Sequence, residues 1–263
     1  MTSEGPRRYI FDTTIPYVDF NYRKYSTKAT LLAYVFAQSM EEIDQFLFYL
    51  RGIHHYFEPI GASVMDGFLE QVSTEDREAL KEDIQGIFNW QRQERLVSEL
   101  ILARIVDSYV FYLIGMADHI VRRTARSSST ESFAPRRTFP QTKEYFRKEI
   151  GVPLYLTPAD ERLADQIVTM RNILVHNVSV IPDKYLARFA NWQELQCIRQ
   201  DSDLLIIQMN FSCVDQLGNF LSKSVADIDS RAASQFKLEQ HLFDEDMPAK
   251  PSLDPYLIDG DML

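Results

Sequence analysis

The stretch TPADERLADQIVTMRNILVHN, residues 157–177, reads as a helix with both ends marked. Thr157 offers a hydroxyl to the free N–H groups of the first turn, Pro158 suits the first helical position, and Asp160 and Glu161 set negative charge against the positive end of the helix dipole. At the other end Asn177 tolerates the left-handed backbone that stops helices, and Val178, Val180, Ile181 and Pro182 continue as extended chain. With about 100° of rotation per residue, Leu163, Ile167, Met170 and Leu174 form one apolar stripe turned toward a core. Asp165, Thr169, Asn172 and His176 gather on the opposite face, Asn172 one turn before His176 and within its reach. Arg171 flanks the stripe, and its long stem lets the guanidinium turn to either side.

A histidine near a helix C-terminus is ordinarily solvated, and the dipole there favours its imidazolium form. The string Arg171-Asn172-Ile173-Leu174-Val175-His176-Asn177 carries more than that. It resembles the Arg-x4-His signature of the HEPN family, all-α domains many of which are metal-independent endoribonucleases, including the polar residue directly after the arginine. The motif lies late in a helix with more helix to follow, which is also the family's arrangement. The resemblance covers residues 28 to 230 loosely and is specific at 171 to 177.

This resemblance implies an all-α, HEPN-like helical bundle and catalysis by Arg171, Asn172 and His176, with no metal and no cofactor. RNA brings its own nucleophile, the 2′-hydroxyl. An enzyme that cuts it removes that proton, steadies the phosphorane and protonates the departing 5′-oxygen. A histidine titrating near neutrality suits the proton transfers and an arginine fork suits the phosphoryl oxygens. Asn172 would orient the imidazole or contact the phosphate, and the products would be a 2′,3′-cyclic phosphate and a 5′-hydroxyl. One histidine serves as acid or base but not at both ends of the reaction, so the resemblance implies a homodimer whose twofold mates pool two Arg171 and His176 sets. Relatives of this type act as toxins held by an antitoxin or in defence against phage, which makes an antitoxin or regulatory protein an expected partner. The family also holds inactive members. The alternative expectation is therefore a dimeric adaptor that binds RNA or a protein without cutting.

At 263 residues, 45% of them hydrophobic and 25% charged, the chain is long enough for a real core. A net charge of −10 argues against a protein that coats nucleic acid over its whole surface and leaves a local basic site open. Cys197 and Cys213 have no metal-type spacing, and two cysteines do not make a disulfide framework, which points to a reducing cytoplasmic setting. Charge-free apolar runs such as residues 29–40 and 108–117 are too short to span a bilayer as helices, so no membrane role is expected. Phosphate loops, serine-hydrolase elbows and zinc-protease motifs are absent from the sequence.

Residues 1–27 read as an N-terminal arm, residues 28–235 as the helical domain and residues 236–263 as an acidic tail. Leu32, Phe36, Met40, Ile43, Leu47 and Leu50 stripe a first helix, which Gly52 and residues 59–67 are expected to weaken into a connection carrying His54 and His55. Ser73-Thr74-Glu75-Asp76 reads as another helix start. Residues 91–126 form the most apolar helix, with Leu96, Leu100, Ile101, Ile105, Tyr109, Tyr112, Met116 and Ile120 as its stripe. Glu94, Glu99, Arg104 and Asp107 flank that stripe, and one of them is a candidate auxiliary group for the site.

Between residues 122 and 148 the sign of the charge reverses. Arg122, Arg123, Arg126, Arg136, Arg137, Lys143, Arg147 and Lys148 are opposed only by Glu131 and Glu144, a candidate landing strip for RNA phosphates, with Phe133, Phe139 and Tyr145 for stacking on bases. Solvated loop charges are the plainer reading of the same run. After the motif helix, Gln200-Asp201-Ser202-Asp203 marks a small β-hairpin, and residues 211–233 a last helix with Val214, Leu217, Leu221, Val225 and Ile228 as its stripe.

Overall fold

The computed structural model describes residues 22–70, 73, 90–124, 138–176 and 179–243, with side chains over these ranges except at 51–66, 68–69 and 90–92. Described residues are mostly helical, with a small antiparallel hairpin. Helix α1 is Leu31–Leu69, α2 is Trp90–Thr124, α3 is Phe139–Tyr145 running into a π-helical turn at Phe146–Ile150, α4 is Pro158–His176 and α5 is Phe211–Phe236. The strands are β1 (Lys28–Ala29), β2 (Ile198–Asp201), β3 (Leu204–Ile207) and β4 (His241–Leu242). The helix start at residues 73–76 (Ser73 apart), the serine-rich loop 127–132, the arm before Tyr22 and the acidic run after Phe243 lie outside the described residues.

Helix α2 is the hub: α1, α4 and α5 all pack on it. Ile101, Ile105, Tyr109, Tyr112, Met116 and Ile120 are buried as the spacing requires, but Leu96 and Leu100 are not; Leu100 is 72% exposed. The stripe begins only where neighbouring helices reach α2. Residues Gln93–Thr124 have the length and mean hydropathy, 1.7, to cross a bilayer, and half of that apolar window is buried in the fold. The packing of three helices on this hub accounts for the buried half. Gly115 permits the approach of α1, since a Cβ there would stand 3.0 Å from a Leu32 methyl.

Helix α1 differs from its reading. It runs unbroken through Gly52 and Pro59, so His54 and His55 fall on a helix and not in a connection. Proline removes one ladder donor, and the turns on either side carry the helix past it. The stripe Phe36, Met40, Ile43 and Leu47 is buried as read.

Helix α4 starts as its sequence dictates: Thr157 Oγ1 accepts from the Asp160 N–H at 3.1 Å and donates to its carboxylate at 2.7 Å. Ile167 and Met170 are fully buried, and Leu163 and Leu174 pack at the core's edge. The hairpin is also where it was read. β2 and β3 pair antiparallel in the register Asp201↔Leu204 to Ile198↔Ile207, and Ser202 takes the positive φ of 54° that a two-residue turn demands. Val180 bridges to Ile206, and the Ile181 N–H donates to Leu205 O at 2.8 Å, which fastens the chain leaving α4 to the hairpin.

The two ends of the described chain are clasped. β1 pairs with β4, and Phe243 packs on Tyr22 and Tyr34, so residues 237–243 belong to the fold and the acidic run begins beyond them. Beneath the clasp lies Asp229, fully buried. Its carboxylate accepts from the Thr30 N–H at 3.0 Å, the Thr30 hydroxyl, Tyr112 Oη at 3.4 Å and Gln240 Nε2 at 3.3 Å. Burial pushes its pKa up, against the pull of these donors.

Candidate functional site

The polar face of α4 is partly covered by its own chain. Past the extended residues 179–182, a 3₁₀ run at Asp183–Phe189 folds back over it, anchored by Phe189, which is fully buried. Gln166, 2% exposed, holds this run by donating from Nε2 to Arg188 O at 2.6 Å and to Asn191 Oδ1 at 2.7 Å. Thr169, expected on the open polar face, is therefore 3% exposed. Its hydroxyl donates to Asp165 O at 2.6 Å and accepts from Arg188 Nη1 at 3.0 Å.

Between α2, the start of α3, α4 and this 3₁₀ run lies a cleft of about 410 Å³. Its apolar floor is Val106, Val110, Phe139, Pro140 and Val168; its polar rim includes Asp107, Asp165, Arg171, Asn172 and Arg188. Arg171 turns away from the core stripe and toward α2. Its Nη2 stands 2.8 Å from Asp107 Oδ1, and its Nη1 donates to Asn172 Oδ1 at 3.1 Å. Its Nε is shielded from solvent and has no hydrogen-bond partner among the described residues. Of the four charged residues flanking the α2 stripe, Asp107 is thus the one that joins the motif. Glu94 instead accepts from the Phe211 N–H at the start of α5, and Glu99 accepts from Ser179 just past α4, its carboxyl raised by burial.

His176 lies exposed at the last residue of α4 and does not line the cleft. Five residues of helix separate it from Arg171, a rise of about 7.5 Å with the two side chains about 140° apart around the axis. The chain therefore places Arg171 and Asn172 in the cleft and leaves His176 outside it. Among the described residues no group of histidine, cysteine and carboxylate side chains has the arrangement of a metal site.

The basic run separates into engaged and open members. Lys143 donates to Glu161 at 2.9 Å and Asp165 at 2.8 Å, with its side chain only 16% exposed, so it braces α3 against α4. Arg122 pairs with Asp118 at 2.8 Å on its own helix, and Arg147 and Lys148 share Glu144, whose carboxyl these hydrogen bonds hold below its ordinary range. Arg123 is exposed with no carboxylate among the described residues in ion-pairing range. Arg126, Arg136 and Arg137, like Phe133, lie outside the described residues. Phe139 is not available for stacking at the surface: it is 6% exposed, set against Tyr109 with Lys143 over its ring.

Arg188 was not read from the sequence as a site residue. The signal was present as Lys184, Tyr185 and Arg188, a basic and aromatic triplet at helical spacing. No family, curated protein or solved structure matches the chain.

Proposed function

We propose that the protein is a metal-independent endoribonuclease of the HEPN type, active as a homodimer. The observation that carries this reading is the position of Arg171: late in an N-capped helix, beside Asn172, at the rim of a cleft sized for a small ligand. A guanidinium there suits the charge that builds on a phosphorane, with Asn172 fixing its plane. His176, exposed at the end of the same helix, would act with the His176 of a twofold mate, the two Arg171 and His176 sets pooling in one composite cleft so that the two histidines share the acid and base duties. The described residues are mostly helical, with more helix after the motif helix, and a HEPN-like bundle is the form of that helical fold this reading takes. A toxin or anti-phage effector, restrained by an antitoxin or regulatory partner, is the setting such chemistry suits.

The test is cleavage of end-labelled RNA in EDTA by wild type, Arg171→Ala and His176→Ala. Wild type alone should cut and leave 2′,3′-cyclic phosphate ends. A monomer in light scattering at micromolar concentration, or cleavage by His176→Ala, overturns the proposal.

One observation favours a second reading. Arg171 is engaged by Asp107, an arrangement that also serves a purely structural role. On that reading the chain is a non-catalytic dimeric adaptor for RNA or a protein partner, and all three proteins bind RNA equally while none cuts it.

A further inference from the structure

The charged residues lining the cleft are two acids, Asp107 and Asp165, and two bases, Arg171 and Arg188. Asp107 is met by Arg171, and Asp165 by Lys143, which Glu161 shares. Arg188 has no such partner: no carboxylate among the described residues lies in ion-pairing range of it or of Lys184. Its polar tether is a single neutral hydrogen bond to Thr169 Oγ1, and its guanidinium lies 5.5 Å from the centroid of the Tyr185 ring, with Lys184 Nζ 4.8 Å from the same ring. The backbone beneath it is locked by Gln166 and by buried Phe189. An exposed guanidinium with one side-chain hydrogen bond among the described residues, at the rim of a cleft whose lining is part apolar, suits an anion whose neighbouring group is flat and apolar.

We infer that Arg188, assisted by Lys184, grips a backbone phosphate of single-stranded RNA while an adjacent base packs on the accessible apolar lining of the cleft at Val110, Pro140 and Val168. The inference rests on the reading of the protein as one that acts on RNA. A single strand is specified because a base must leave its stack to reach that lining. Arg188 thereby supplies a local positive site of the kind an acidic protein needs, beside a basic run in which Arg122, Lys143, Arg147 and Lys148 are ion-paired.

The experiment uses the full chain and a short single-stranded RNA carrying 2′-O-methyl groups, which lacks the nucleophile and stays intact. Binding is followed by fluorescence anisotropy in EDTA across a salt series. Arg188→Ala should weaken binding by about tenfold and lower the slope of log affinity against log salt by about 0.7, the loss of one phosphate contact to a single strand. Arg188→Lys should recover the slope but only part of the affinity, since it restores charge without the fork. Lys184→Ala should have the smaller effect of the two alanine variants. Unchanged melting by circular dichroism confirms that the variants are folded.

Equal affinity and slope for Arg188→Ala overturns the inference, as does failure of the wild type to bind at low salt or equal binding of a fully paired duplex. Its fate is separable from that of the nuclease reading. Arg188-dependent binding with unmodified RNA left intact sinks the nuclease and keeps this contact. Cleavage of unmodified RNA with Arg188→Ala equal to wild type in both binding and cutting does the reverse.

Discussion

Asp229 and Arg171 are both charged side chains that helix α2 meets, the first through Tyr112 and the second through Asp107, and the fold treats them differently. Asp229 is sealed from solvent, and its two oxygens accept from four donors contributed by the N-terminal clasp, α2 and the residues after α5. Arg171 keeps 23% of its side chain exposed, pairs with a carboxylate that is 52% exposed, and has no hydrogen-bond partner for Nε among the described residues. A buried N–H without a partner costs about 1–3 kcal/mol, so a cluster that serves the fold alone would be expected to satisfy it. The Asp229 knot is closed, whereas the Arg171 cluster leaves a donor unsatisfied among the described residues beside an open cleft.

The sharpest way to break this contrast is to truncate each charge. Asp229→Ala strands the Thr30 N–H, the Thr30 hydroxyl and the Tyr112 hydroxyl in the interior. It should lower unfolding free energy in urea by about 3–5 kcal/mol. A loss below about 1 kcal/mol would mean that the clasp relaxes to let water in. Arg171→Ala should do the opposite: cleavage falls by about 10²–10³-fold, the scale of losing one transition-state donor, while stability moves by under about 1 kcal/mol because its partner is half in solvent. A large stability loss there would put Arg171 in the same class as Asp229.

The pH dependence sharpens the comparison further. Burial raises the Asp229 carboxyl above its ordinary value of 3.8, so the folded chain holds that proton more tightly than the unfolded chain does. The stabilisation from that proton is complete below pH 3.8 and is lost as pH rises through the folded value. Asp229→Asn cannot ionise. Its intrinsic cost should be about 1–2 kcal/mol, from replacing an acceptor by an amide donor facing Thr30 or Gln240. That deficit relative to wild type should shrink as pH rises through the window. A deficit that stays constant from acid to neutral pH would show that the buried carboxyl does not titrate with the fold.

How much of this was legible depended on the range of the interactions. Helix α4, its Thr157 cap, its stripe and the Ser202 turn are decided by residues within four positions of one another, and period and turn chemistry report them directly. The pairing of Arg171 with Asp107 joins positions 64 apart, and Thr30 meets Asp229 across 199; no periodicity encodes either. Thr169 was misplaced for the same reason, because only the fold-back of residues 183–189 buries it. Phe139 read as a surface aromatic among basic residues until Lys143 proved to be a brace against α4, which carries that ring into the core. Local pattern delivered the helix that carries the motif, and tertiary contact decided which of its polar side chains face the cleft.

The smallest effect is also the most discriminating for the cleft. Asp107→Asn keeps the size of the side chain and removes the charge that faces Arg171 at 2.8 Å. Because Asp107 is half exposed, solvent already screens the pair, and stability should change by less than about 1 kcal/mol. If Arg171 is there to meet phosphate, the carboxylate is its competitor, and neutralising it should tighten RNA binding by a few fold, with a steeper dependence on salt. If Asp107 instead holds the guanidinium in its working orientation, binding tightens while the cleavage rate of bound RNA falls, since an amide anchors the fork less firmly than a carboxylate. Single-turnover cleavage at saturating protein separates these two roles. A variant unchanged in affinity, salt slope and rate would place the pair with Asp229, as a fastening between helices and nothing more.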